Sequence, residues 1–135
     1  ALFCRFGVMR EDVFITNVVK YRPVVRSPKS VKNRTPLPAE VKASLPLLKT
    51  EILHLSPKLI LTLGNTPLKA VFALAGGKPP VIGTAHGRAL SISIDGFAFT
   101  LIPLYHPASG IYNRSLVEVM ERDAAFVGEV AHTLR

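Results

Sequence analysis

The chain has 135 residues, a formal net charge of +8 and a pI near 10.1. Its length sets one domain as the prior, residues 1–135, and its 48% apolar content is enough for a packed core rather than a disordered tail. No apolar run approaches the roughly 18 residues that a membrane span requires, no secretory leader is recognisable at the start, and a single cysteine, Cys4, excludes an internal disulfide and a Cys-rich metal site within the chain; the expectation is a cytoplasmic, monomeric protein without a membrane.

VFITNVV at 13–19 is a β-branched apolar run and predicts a strand buried on both faces. A basic segment follows. Between positions 13 and 39 stand six cations (Lys20, Arg22, Arg26, Lys29, Lys32 and Arg34) and no acid, interspersed with Pro23, Pro28, Pro36 and Pro38. The prolines predict a loop. It is either a solvated basic loop or one that contacts phosphates, whose binding would weaken with salt.

TPLPAEVKASLPLLKTEILHLS, 35–56, predicts a helix with Thr35 as cap and Glu40 near its start. Val41, Leu45, Leu48, Ile52 and Leu55 recur at helical spacing, and Pro46 should kink or split it. KLILTLG, 58–64, predicts a second buried strand, and Asn65 a cap for the helix TPLKAVFALA with Pro67 in its first turn. GGKPP at 76–80 is a break. ALSISI and FAFTLI, joined by Asp95-Gly96, predict a hairpin, and after YHPASG a last helix spans roughly 114–134.

This succession implies an α/β domain with a mostly parallel sheet. In such sheets the binding crevice lies beyond the carboxyl ends of the strands. TNVVKYRP, LGNTP and PLYHPAS all stand at strand ends and are expected to converge on one edge. His106 follows a strand and precedes Pro107, where backbone freedom is small, and is therefore either a core or a catalytic histidine. His86, in TAHGR, is a second candidate; His54 and His132 lie on helices, and the four histidines have no metal-ligand spacing. Asn17 is unusual in a strand. Its amide is either satisfied by backbone at the strand end or reads a base through its paired acceptor and donor. Gly64-Asn65 either presents amides to an anion or only caps a helix. Walker, dinucleotide-binding and nucleophile-elbow patterns are absent.

ITNVVKYRP, NRTPLPAEV, PLLKTEI, LSPKLILTLGNTPLKA, HGR and PLYHPAS…YNRSL resemble, in this order, motifs of the uracil-DNA glycosylase superfamily, closest to its family-4-like bacterial and archaeal branch. The resemblance covers roughly residues 10–125. It implies a three-layer α/β/α sandwich around a short, mostly parallel sheet, and a DNA-repair enzyme that flips uracil out of DNA and hydrolyses its N-glycosidic bond. By the same resemblance Asn17 reads the pyrimidine and His106, of the His-Pro motif, hydrogen-bonds uracil O2. Ser109 and the amides after Pro107 hold a phosphate; Asn65, Arg22, Arg34 and Arg114 are further phosphate contacts; Ile111 and Tyr112 are candidates for the wedge that fills the emptied stack.

The chain departs from the family in two places. The early Gly-rich loop, with its water-positioning acid and the aromatic that stacks on uracil, is not found, and Glu11 and Asp12 are poor substitutes. Two readings follow: a chain that begins beyond that loop and lacks the N-terminal part of the domain, or a non-catalytic nucleic-acid-binding module on the same fold. Many family members also bind a four-iron cluster through cysteines, one of them in Lys-Cys-Arg-Pro; here the stretch is Lys20-Tyr21-Arg22-Pro23. The expectation is therefore no metal, no cofactor, and likeness to the cluster-free relatives.

Overall fold

The computed structural model describes residues 13–18, 24–27, 30–33 and 37–134. Among them, strand β1 (Val24–Ser27) pairs antiparallel with β2 (Ser30–Asn33). Helix α1 (Pro38–Leu55) leads to β3 (Leu59–Leu63) and α2 (Asn65–Ala75), then to the short α3 (Ile82–Ala85). The β4 (Leu90–Ile94) and β5 (Phe97–Leu104) hairpin, a short α4 (Ser109–Tyr112) and α5 (Ser115–Leu134) complete the order.

The main sheet is mixed, in the order β3-β5-β4. β3 and β5 run parallel, from Leu59↔Thr100 to Leu63↔Leu104, while β4 and β5 run antiparallel. The hairpin forms where Asp95-Gly96 predicts it. Both residues take positive φ, 51° and 83°, as a turn matching the strands' right-handed twist requires.

The sheet is the middle of three layers. On one face, Ile92, Ile94, Phe99 and Leu101 pack against Leu48 and Ile52 of α1 and Leu68, Ala70 and Val71 of α2. On the other, Ile102 and Leu104 pack against Val127 of α5, with Leu59, Leu61, Leu63, Phe126 and Val130 around them. β5 is therefore apolar on both faces, and each such side chain withdrawn from water contributes about 1.5–3 kcal/mol. Ser91 and Ser93 of β4, which alternate with the buried Ile92 and Ile94, are exposed.

The helix signals locate α1, α2 and α5, with local differences. α1 starts at Pro38, and the Glu40 carboxylate accepts from the Leu37 N–H at 2.8 Å; Thr35, the expected cap, lies outside the described residues. α1 is not split at Pro46, which sits exposed within the unbroken helix. The α2 cap is Gly64 rather than Asn65, which is the first helical residue.

Two expectations are overturned. Residues 13–18 form no strand: they join no ladder, and Phe14 and Ile15 are 61% and 65% exposed. A strand needs a partner as well as β-branched residues; here only the two ends are drawn inward, Val13 against the α5-side cluster and Val18 into the opposite one. The basic segment is not all loop: β1 and β2 make a two-stranded ribbon inside it. Pro23, Pro28 and Pro36 fall outside those strands in sequence, so none removes a ladder donor.

Leu101 is fully buried at the sheet centre. Leu101→Ala is expected to cost about 2–5 kcal/mol, measured as a lower urea midpoint with an unchanged slope.

Candidate active site

Alternation along β5 decides what its carboxyl end can hold. Even-numbered residues turn their peptide groups toward β3 and odd-numbered ones toward β4. At the exit, the Leu104 carbonyl accepts the Gly64 N–H from the β3 side at 2.8 Å. The two strand ends are thereby fastened together, and LGNTP and PLYHPAS meet. Gly64 has φ +91°, and a Cβ on it would lie 3.4 Å from the His106 Cβ. A side chain there would be strained by the backbone and would lie in contact with that histidine.

Beyond Leu104 the chain leaves the sheet through Tyr105 and His106 and turns at Pro107. The turn is closed by Ser109 N–H to the His106 carbonyl at 2.9 Å, Gly110 N–H to Pro107 at 3.2 Å and Ile111 N–H to Ala108 at 3.1 Å. The Ala108 N–H donates to His106 Nδ1 at 3.1 Å. A backbone amide only donates, so Nδ1 is the acceptor, and the neutral ring carries its proton on Nε2. His106 is exposed. The turn thus presents a single N–H donor of fixed tautomer, aimed away from the backbone that orients it.

Around this donor, Ser109 is half-buried at the start of α4, and the amides of residues 108–111 are donated within the turn. Ile111 is 74% exposed. Arg114, exposed before α5, lines a groove of about 380 Å³ with Pro107, Ile111, Val117 and Met120. Asn65 is exposed beside Gly64. Asn17 is exposed between two anchors: Thr16 Oγ1 donates to Glu51 on α1 at 3.0 Å, and Val18 is buried. Arg22 and Arg34 lie outside the described residues, and of Tyr112 only the backbone is described. No group of three or more His, Cys, Asp or Glu is placed to hold a metal among the described residues.

The chain's match to known proteins fits this geometry. The model of the uracil DNA glycosylase superfamily matches residues 1–134. The chain belongs to that superfamily. It is 37% identical over 123 residues to a type-4 uracil-DNA glycosylase of Saccharolobus solfataricus, covering 91% of this chain and 54% of that protein. It is 39% identical over 121 residues to the type-4 enzyme of Pyrobaculum aerophilum, covering 90% and 58%. A type-4 enzyme of Thermotoga maritima is 33% identical over 127 residues, covering 90% and 59%. The chain spans a little over half the length of these curated relatives. The four-iron cluster that the resemblance implies for many members takes four thiolates, and within these 135 residues Cys4 is the one thiol and Tyr21 stands in the Lys-x-Arg-Pro stretch. The donors in this chain do not fit that group.

One pair near the site is not predicted from the sequence: His86 Nδ1 and Asp123 Oδ2 are 2.7 Å apart. The partners are 37 positions apart, so no local spacing announces them.

Gly64→Ala is expected to cost about 1–2 kcal/mol and to disturb the His106 turn. Thermal melting checks the first, and loss of the His106 Nε2–H form in ring 15N spectra checks the second.

Proposed function

We propose that the protein is a DNA-repair glycosylase that removes uracil from DNA. The observation that carries the reading is the His106 ring, held by the Ala108 N–H so that Nε2–H is its donor, in a chain of the uracil DNA glycosylase superfamily.

In this reading the nucleotide is flipped out of the stack so that its base reaches the turn. The C1′–N1 bond breaks and its electron pair stays on the base, delocalised onto O2 and O4. His106 Nε2–H donates to O2 as that charge develops. A preorganised donor is worth about 3–4 kcal/mol at such a point. A neutral ring suits this role because it stabilises the anion without first having to acquire a proton. Water oxygen then joins C1′, leaving an abasic sugar, and the water's proton completes the neutral base.

The other site residues take roles in the same proposal. Asn17 accepts from uracil N3–H and donates to O4. Cytosine offers the reverse pattern and would leave both amide atoms and base edge unpaired, at about 1–3 kcal/mol for each buried group. The Ser109 hydroxyl, Asn65, Arg22, Arg34 and Arg114 contact phosphates, and the net charge of +8 suits that partner. The exposed Ile111 and its neighbour Tyr112 fill the emptied stack.

Excision is measured on the full-length gene product with a uracil-containing oligonucleotide. His106→Ala is expected to lower the rate by about 10²–10³ with DNA binding retained; equal rates would overturn the assignment. Asn17→Asp is expected to relax discrimination against cytosine in the same assay. Arg114→Ala should reduce the slope of log affinity against log salt by about 1.

A further inference from the structure

The same strand end that carries His106 is held from its other edge by groups the proposed chemistry does not use. The last β4–β5 pair is Leu90↔Leu101. Beyond it, Pro103 brings no N–H to the β4 side, and its carbonyl accepts the Gly87 N–H at 2.8 Å. Just before Gly87, His86 Nδ1 meets Asp123 Oδ2 of α5 at 2.7 Å, with the two side chains 24% and 12% exposed. A carboxylate only accepts, so Nδ1 of His86 carries the proton. The His86 ring also lies against Tyr105, with centroids 4.8 Å apart and planes tilted by 35°. Tyr105 is the residue before His106.

Gly87 makes this approach possible. It has φ +70°, and a Cβ on it would stand 2.2 Å from Asp123 Oδ1. No side chain fits while the carboxylate holds His86.

We propose that His86 and Asp123 are a positioning pair for His106. They fix residues 103–105 from the β4 side, through the Gly87 bond to Pro103 and the ring contact with Tyr105. Gly64 fixes Leu104 from the β3 side. With both edges held, the exit of β5 has one direction, and the exposed His106 ring keeps Nδ1 against the Ala108 N–H. His86 acts through Tyr105 and Pro103 and does not touch the base. The inference rests on His106 as the base-contacting ring, and its first readout is independent of excision.

That readout is the 15N spectrum of the histidine rings of this chain at about pH 8, where an ordinary imidazole is neutral. The wild type is expected to show His106 as the Nε2–H form alone. Asp123→Ala and Gly87→Ala are expected to give a mixture of tautomers at His106. Asp123→Asn keeps an oxygen that accepts from Nδ1 and is expected to retain the single form. Tyr105→Leu leaves the His86–Asp123 bond in place and is expected to give the mixture, which keeps the test open should the other two fail to fold. In excision by the full-length gene product, Asp123→Ala is expected to lower kcat about tenfold to hundredfold at unchanged KM, and Asp123→Asn to recover most of that loss. An unchanged His106 spectrum in Asp123→Ala and Tyr105→Leu, or a loss carried by KM alone, overturns the proposal. A wild-type protein that excises no uracil overturns the role of His106, while the ring spectra still decide whether His86 and Asp123 set its tautomer.

Discussion

The hydrogen bond from the Gly64 N–H to the Leu104 carbonyl is the constraint on which the site depends. It is the last rung of the parallel β3–β5 ladder, and the chain leaves the sheet on both sides of it. From Gly64 the backbone turns into α2, and from Leu104 it runs through His106 to the Pro107 turn. Parallel neighbours deliver their carboxyl ends to one sheet edge, which is why α/β proteins bind ligands there. Without that rung, an exposed histidine after a strand would be a side chain on a loose loop.

What keeps the rung in place is packing on both sides of β5. Leu101 and Ile102, successive residues, are both fully buried on opposite faces of the sheet. Helices α1 and α2 close one face and α5 the other. Such a core transmits strain instead of absorbing it. The turn carrying His106 is thus a short irregular segment on a rigid base, the usual arrangement for residues that do chemistry.

The sequence is most informative where a local rule decides. Asp95-Gly96 demands a tight turn, and the turn is there. Leu48 and Ile52, four apart, mark the buried face of α1. LILTL is a strand with both faces covered: Leu59, Leu61 and Leu63 join the cluster under α5, and Ile60 joins the opposite one. The same logic fails for VFITNVV, whose composition is that of a strand but whose described residues find no ladder. It fails again for the basic segment, where Val24, Val25 and Arg26 pair with Asn33, Lys32 and Val31 across a ribbon although prolines flank the strands in sequence. At the candidate site, the place of His106 just beyond a strand is legible, because an apolar run precedes it and Pro107 follows it. The tautomer of its ring is not legible, since it depends on an amide two residues on. The His86–Asp123 pair is hidden for a different reason: it joins a loop to the middle of the last helix, a tertiary fact with no periodicity behind it.

The close approach of Gly87 to Asp123 reaches beyond this one molecule. Because a methyl group at position 87 and a carboxylate at position 123 would claim the same space, a side chain at 87 is compatible only with a different residue or rotamer at 123. A descendant that acquires a side chain at 87 must shorten or redirect the one at 123, and then His86 loses its acceptor. A side chain at 87 therefore requires a change at 123, whereas 123 can change while 87 stays glycine. A replacement at Gly87 is thus tied to one at Asp123, while the solvent face of β4, with Ser91 and Ser93, carries no such tie.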